Sequence, residues 1–261
     1  MLTDVEQRVA EFDRVYSRFR EDSLVARIAA QPGSYQFPPD AGPLFALYRE
    51  LYEATDGAVT PLIGRTLEQL GYDAAYSLRD TGRAAPPPAW DDALAWDGET
   101  LTTVSPVLLD VGAAGKGYLV DIVCGLLVEG GVTEAVVDAS GDIRLVGAGV
   151  TRVALEHPLD ASKAIGVARL GHGALCASAS NRRAWGNGLH HVIDATTGLP
   201  TSRVIATWVM APTALLADGI ATGLFFAQGS RFAALGDFDW VRMFSTGRVE
   251  HSPDFDGELF V

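Results

Sequence analysis

The sequence has few of the residues that mark several common classes of protein. Its two cysteines, Cys124 and Cys176, are too few for a disulfide framework or a zinc cluster, and we expect both to be buried apolar residues. Only 20 basic residues face 33 acidic ones, and the formal charge of -13 opposes binding to nucleic acid or to an anionic membrane. No apolar run is long enough to span a membrane. A globular protein with neither kind of partner is therefore expected.

The amino-terminal segment is charged and carries apolar residues at helical spacing over residues 3–20. It contains neither a signal peptide nor a lipoprotein motif, so we expect a cytoplasmic protein, or an extracytoplasmic one if a leader precedes this sequence. With 261 residues, 48% of them hydrophobic, the chain can bury a substantial core. We expect one domain over residues 1–261.

Runs of strand-like segments with helices inserted between them predict the fold class. Helical patterns occupy residues 41–55, 117–129 and 214–229. Strand patterns occupy residues 133–149, 151–158, 164–180, 203–213 and, as a closing hairpin, 240–253. This order predicts an α+β fold with a mixed, largely antiparallel sheet and helices packed around it.

Residues 110–121 read DVGAAGKGYLVD, a small-residue loop with one lysine between two apolar segments. The loop is not a nucleotide-binding P-loop, because Asp110 replaces its first glycine and Gly117 replaces its Ser or Thr after Lys116. Small residues, a helix amino terminus and a lysine still suit an anion. The alternative is a tight strand-to-helix turn with an exposed lysine. An acidic protein that binds phosphate also needs local positive charge or a divalent metal.

Four short motifs follow one another in the sequence: LDVGAAGKGYLVD at 109–121, DASGDIRLVG at 138–147, HHVIDATTGLP at 190–200 and LLADGIATGLF at 215–225. Their order and residues resemble the ApbE family of flavin transferases, which move FMN from FAD to a threonine of a target protein in a magnesium-dependent reaction. The segments SRFREDS at 17–23 and VTPLIGRTLEQLGYD at 59–73 also resemble that family. The resemblance thus covers nearly the whole chain.

Asp218 and Thr222 are four residues apart on a predicted helix, so they project from one face and offer a carboxylate and a hydroxyl to a hard cation such as Mg²⁺. The alternative is a buried aspartate that caps or pairs within an apolar helix. The resemblance implies that both residues bind magnesium together with the backbone carbonyl of Ala113.

The resemblance also implies which residues contact FAD. Asp110 and Lys116 match FAD-contacting positions, so the loop would hold the pyrophosphate of FAD. Further flavin-contacting positions correspond to Gly71, Tyr72, Ser178 and Val192, with simple packing as the alternative for the tyrosine.

His191 opens an H-x-x-D-x-x-T-G motif. A histidine at a strand end is either a structural residue or a functional one. The resemblance implies that His191 is the base that deprotonates the acceptor threonine. An imidazole that is neutral near pH 7 suits that task. We expect its pKa to lie near that of free histidine, about 6.5. His190 is expected to be a neighbour rather than a participant.

The expected function is a magnesium-dependent FAD:protein FMN transferase that releases AMP. With water as acceptor, the same residues would make an FAD pyrophosphatase giving FMN and AMP. A non-catalytic flavin-binding protein is a third alternative, disfavoured because a mere binder needs no base. The segment CASASNRR at 176–183 departs from the family's pattern, since Ala179 and Ser180 replace a glycine and an acid, while Arg182 and Arg183 keep its basic character. These changes concern flavin contact or acceptor docking. A second departure is DATTG in place of the commoner D-P-x-T-G.

Overall fold

Helices and strands alternate irregularly along the chain, and the computed structural model describes residues 2–260. The α-helices of this range are α1 (Leu2–Tyr16), α2 (Leu24–Ala30), α3 (Gly42–Ala54), α4 (Gly64–Gln69), α5 (Trp90–Ala93), α6 (Gly115–Glu129) and α7 (Ala214–Gly223). Two 3-10 helices occupy Pro61–Ile63 and Gly229–Leu235. No helix in this range is long and apolar enough to cross a membrane.

The strands within residues 2–260 form five separate sheets. They are β1 (Ser34–Gln36), β2 (Leu94–Trp96), β3 (Thr100–Thr103), β4 (Ala135–Asp138), β5 (Asp142–Val146), β6 (Thr151–Glu156), β7 (Ala164–Leu170), β8 (Gly173–Ala179), β9 (Ala184–Trp185), β10 (Leu189–His190), β11 (Ile193–Asp194), β12 (Leu199–Pro200), β13 (Val204–Ala211), β14 (Asp239–Phe244), β15 (Val249–His251) and β16 (Gly257–Leu259). The largest sheet has six strands in the order β15-β14-β13-β8-β5-β4, and every pair in it is antiparallel. The expected α+β fold with a largely antiparallel sheet is confirmed.

Both faces of the six-stranded sheet are buried. On β8, Cys176 faces the helices while its neighbour Leu175 faces the opposite side, and on β13 Val209 and Trp208 divide in the same way. This alternation follows from the period of two along a strand. The helical side packs against α1, α3, α6 and α7, and the other side is covered by the small sheet β16-β7-β6. Both cysteines are free and buried, as expected.

The structure differs from the sequence-based expectation mainly in short segments. Helix α1 ends at Tyr16, four residues before the predicted end, because Arg18 turns inward to bond Asp110 and the carbonyl of Tyr72. Strands β9 to β12 form two-residue hairpins that the hydrophobic pattern did not indicate. Two residues are too few to show a period of two.

Helices α6 and α7 cross at unusually short range at the start of α6. Gly117 permits this approach, because a Cβ there would lie 2.7 Å from Cβ of Asp218 and closer still to the carbonyl oxygen of Ala214. The crossing is also bonded, since Oδ1 and Oδ2 of Asp121 accept from the backbone N–H groups of Ala214 (2.9 Å) and Leu215 (2.8 Å). A carboxylate of α6 thus caps the amino terminus of α7.

We predict that Gly117→Ala destabilises the protein by about 1–3 kcal/mol, because the added methyl group overpacks the helix crossing. A chain of this size loses about 2–4 °C in melting temperature per kcal/mol. Gly125→Ala is the matched control on the same helix, because nothing lies within 4 Å of its added Cβ. The control should be neutral or stabilising by up to about 1 kcal/mol. Thermal unfolding of both variants measures the difference, and equal melting temperatures would contradict the prediction.

Candidate active site

A cleft of about 320 Å³ lies between the end of α1, residues 58–72, the start of α6 and the β9–β10 hairpin. This volume is within the usual range of small-molecule sites. Eight residues singled out from the sequence line it: Tyr72, Asp110, Ala113, Lys116, Ser178, His191, Val192 and Thr222. Asp218 is buried behind the cleft, at 3% exposure, while Gly71 lies outside the lining. Gly71 follows α4 with a φ of 101°, and its carbonyl accepts from Leu78 N–H.

Hydrogen bonds to its backbone N–H groups fix the conformation of the loop before α6. Oδ1 of Asp110 accepts from Gly112 N–H at 2.7 Å, and Tyr48 Oη accepts from Ala113 N–H at 3.1 Å. Oδ2 of Asp110 pairs with Nε of Arg18 at 2.5 Å. The N-cap residue of α6, Ala114, has no side chain that caps the helix. The positive end of a helix dipole beside a lysine is a suitable place for an anion.

Lys116 does not project freely into solvent. Its Nζ lies 2.5 Å from Oδ2 of Asp142, a side chain with no exposed surface. Burial raises the pKa of Asp142, and the ammonium of Lys116 partly opposes that rise. The sequence analysis did not single out Asp142, although it is the acid of the motif DASGDIRLVG. The turn before β5 places it inside, where its Cα pairs with Cys176.

The three expected magnesium ligands lie together. Thr222 Oγ1 donates to the carbonyl oxygen of Ala113 at 3.2 Å, and Oδ2 of Asp218 accepts from Gly117 N–H at 2.9 Å. Burial raises the pKa of Asp218 well above its usual value, and the nearby Asp142 raises it further. Within residues 2–260, no three His, Cys, Asp or Glu side chains converge as a metal centre. The site therefore offers oxygen donors that are mostly uncharged.

His191 lines the cleft, and Nδ1 of its imidazole is buried without a hydrogen-bond partner among the described residues. Its backbone N–H donates to the carbonyl of Arg183 at 3.2 Å. Burial, and next the charge of Arg183, lower the pKa of His191 to about 4. The expected value near 6.5 is therefore wrong, because it ignored the loss of water around the ring. His190 has a structural role, since Nε2 bonds Thr201 O at 2.7 Å and Nδ1 accepts from Val192 N–H.

Aromatic rings form one wall of the cleft. Tyr72 lies 5.4 Å from Phe19 and 5.7 Å from Trp185, centroid to centroid, and Phe19 stacks on the half-exposed Tyr76 at 5.2 Å. The guanidinium of Arg18 lies 4.2 Å from the centroid of Phe19. Such a wall presents flat apolar faces next to a cation.

The sequence analysis missed several cleft residues in segments that it had already quoted. Arg18 and Phe19 belong to SRFREDS, and Arg183, noted only for its basic character, ends the segment CASASNRR at 176–183. The two departures in the latter segment lie outside the cleft lining. Ala179 pairs with Ala206 in the sheet, and Ser180 Oγ bonds the carbonyl of Ile205.

We predict that the imidazole of His191 has a pKa of about 4 in the ligand-free protein, well below that of a solvated histidine. A buried ring favours its neutral form, so the proton binds only in acid. Histidine NMR resonances followed from pH 3.5 to 8 measure this, with His191→Asn used to assign the signal. A midpoint near 6.5 would show that water reaches the ring freely.

Comparison with known proteins gives one consistent family. The ApbE family model matches residues 1–238. An FAD:protein FMN transferase from Vibrio cholerae is 28% identical over 92% of this chain and 77% of its own length. One from Rhodobacter capsulatus is 29% identical over 85% of this chain, which spans only 43% of that protein.

Solved structures show the same fold. The ApbE protein from Thermotoga maritima has a TM-score of 0.82 at 21% identity, covering 98% of this chain and 90% of that one. The flavin transferase ApbE from Vibrio cholerae has a TM-score of 0.77 at 22% identity, covering 96% and 87%. The motifs that meet in the cleft agree with the fold and with the family match over residues 1–238. The chain belongs to the ApbE family.

Proposed function

We propose that this chain is a magnesium-dependent FAD:protein FMN transferase that moves FMN from FAD to a threonine hydroxyl of an acceptor protein and releases AMP. The observation that carries the proposal is the meeting of a phosphate-type loop, a set of oxygen donors and a neutral histidine in one cleft. The names of the bacterial relatives agree with this chemistry.

The pyrophosphate of FAD is assigned to the start of α6. Lys116 supplies positive charge there, and the start of α6 adds the positive end of its helix dipole. Arg183 is exposed at the same cleft and adds a second cation. These local charges offset the repulsion that a protein of net charge -13 exerts on an anion.

The donor set suits magnesium. Asp218, Thr222 and the carbonyl of Ala113 offer the hard oxygen ligands that Mg²⁺ prefers. One carboxylate and two neutral oxygens do not complete a coordination shell, so phosphate oxygens of the substrate and water supply the remainder. When bound, the ion neutralises charge that develops on the pyrophosphate.

His191 is assigned as the base. The acceptor's hydroxyl oxygen bonds to the phosphorus of the FMN half, and the bond from that phosphorus to the bridging oxygen breaks. AMP leaves with the bridging oxygen, and the hydroxyl proton passes to His191. Because burial keeps this imidazole neutral at pH 7, it can accept the proton. Positioning and charge stabilisation supply most of the rate in phosphoryl transfer.

The flavin ring is assigned to the aromatic wall. Tyr72 is buried between Phe19 and Trp185, and its hydrogen-bonded neighbours fix the wall in place, since Trp185 Nε1 donates to Leu70 O at 2.9 Å. A flat heterocycle packs well against such rings. Tyr72 therefore packs in the core and also contacts the assigned position of the flavin ring.

The direct test incubates the protein with FAD, Mg²⁺ and an acceptor protein, followed by mass spectrometry. Covalent FMN on a threonine together with free AMP is the expected result. Free FMN and AMP without an adduct would show the pyrophosphatase instead. Unchanged FAD, bound or free, in the presence of a competent acceptor would overturn the enzymatic proposal.

We predict that Lys116→Met raises the Kd for FAD by about 10- to 100-fold at saturating Mg²⁺, because a charge-assisted contact is worth about 1.5–3 kcal/mol. Lys163→Met is the matched control, since that lysine is exposed and pairs with Asp160. Flavin fluorescence titration measures both affinities. Equal Kd values for the two variants would remove Lys116 from the phosphate site.

We predict that His191→Ala slows FMN transfer by about a hundredfold to ten-thousandfold, the usual contribution of a positioned base. Binding of FAD should persist, because the imidazole is assigned no role in holding it. His172→Ala, at an exposed position outside the cleft, serves as control. Rates of acceptor labelling measure the effect, and a variant that labels its acceptor at the unaltered rate would place the base elsewhere.

A further inference from the structure

Two buried carboxyl groups lie behind the cleft. Asp142 has no exposed surface and Asp218 is 3% exposed, and Asp142 lies close enough to raise the pKa of Asp218. Lys116 is the cation that pairs with this cluster, through Asp142. The arginines near α6 are engaged elsewhere, since Arg18 pairs with Asp110 and Arg144 with Asp121.

Asp142 is poorly satisfied for so deeply buried a group. Neither of its oxygens has a hydrogen-bond partner among the described residues, and its contact to the ammonium of Lys116 is an ion pair. Burying charge without compensation is costly, and like charges at short range add to the cost. When both carboxyl groups are ionised, the single ammonium leaves them one positive charge short, and a divalent cation in place of the ammonium would balance them.

Lys116 can leave Asp142 without disturbing the core. Its side chain is 35% exposed and lines the cleft, while the backbone of Asp142 is held in β5. The uncharged donors, Thr222 Oγ1 and Ala113 O, lie 3.2 Å apart, and Thr222 is one helical turn after Asp218 on α7. The cluster is thus arranged to exchange one cation for another.

We propose that Asp142 is a second carboxylate of the divalent-cation site, and that it is shared between that site and Lys116. In the cation-free protein Asp142 holds the lysine. When a divalent cation binds, Asp142 turns to it and Lys116 becomes free to contact a phosphate. The inference rests on the proposed function, and it makes cation binding a condition for full phosphate affinity.

The test uses Mn²⁺ alone as the probe, with metal-stripped full-length protein and no FAD. Free Mn²⁺ is followed by electron paramagnetic resonance during titration. Asp142→Asn should raise the Kd for Mn²⁺ by about 10- to 100-fold, the usual loss when a partner of a metal site is removed. Asp142→Glu keeps the charge and should remain within a few-fold of the unaltered protein. Glu250→Gln, which breaks a remote ion pair with Arg242, is the control.

A second variant tests whether Asp142 is shared between Lys116 and the cation site or merely lies near the cation site. This test does not depend on the folding of Asp142→Asn. Lys116→Met removes the competitor for Asp142, so it should lower the Kd for Mn²⁺ several-fold while it weakens FAD binding. An unchanged Kd for Mn²⁺ in a folded Asp142→Asn protein, or weaker Mn²⁺ binding in Lys116→Met, would overturn the inference. Failure of the proposed function is separate, because it would appear as absence of FMN transfer by the unaltered protein.

Discussion

The close crossing of α6 and α7 is the constraint on which the rest of the site depends. A glycine at position 117 lets the backbone of one helix reach the other, and its N–H bonds the carboxylate of Asp218. Asp121 then fixes the start of α7 to α6. Because these contacts join the two helices, the loop that carries Ala113 and the helix face that carries Thr222 are held 3.2 Å apart, oxygen to oxygen. A displacement of either helix would separate the donors.

This arrangement explains how an acidic protein can hold an anionic substrate. Although the net charge is -13, Arg18, Lys116 and Arg183 line one cleft together with the start of α6. Electrostatic effects are strongest where water is excluded, so a few local charges outweigh many distant, screened ones. The buried carboxylates behind the cleft complete the pattern, since they favour a cation next to the phosphate position.

The sequence predicted the larger features well, and the reasons are physical. Long periodic segments such as α3, α6 and β13 bury continuous faces, so their patterns are strong, and the order of four motifs indicated the family. The sequence did not reveal the role of Asp142, because a turn directs its side chain inward. No local sequence pattern shows that turn. Arg18 was missed because charged residues usually lie in solvent, and only tertiary contacts bring it to the cleft. The pKa of His191 depends on burial, which is likewise a property of the fold.

The central claim is that cation, pyrophosphate and histidine meet at the start of α6, and a crystal structure with FAD and Mn²⁺ tests it most directly. The account predicts an anomalous manganese peak about 2.0–2.2 Å from oxygens of Asp218, Thr222 and Ala113, with the pyrophosphate beside Lys116. The FMN-side phosphorus should then face His191 across a space open to an acceptor. A manganese peak away from Asp218, or a pyrophosphate outside this cleft, would contradict the account.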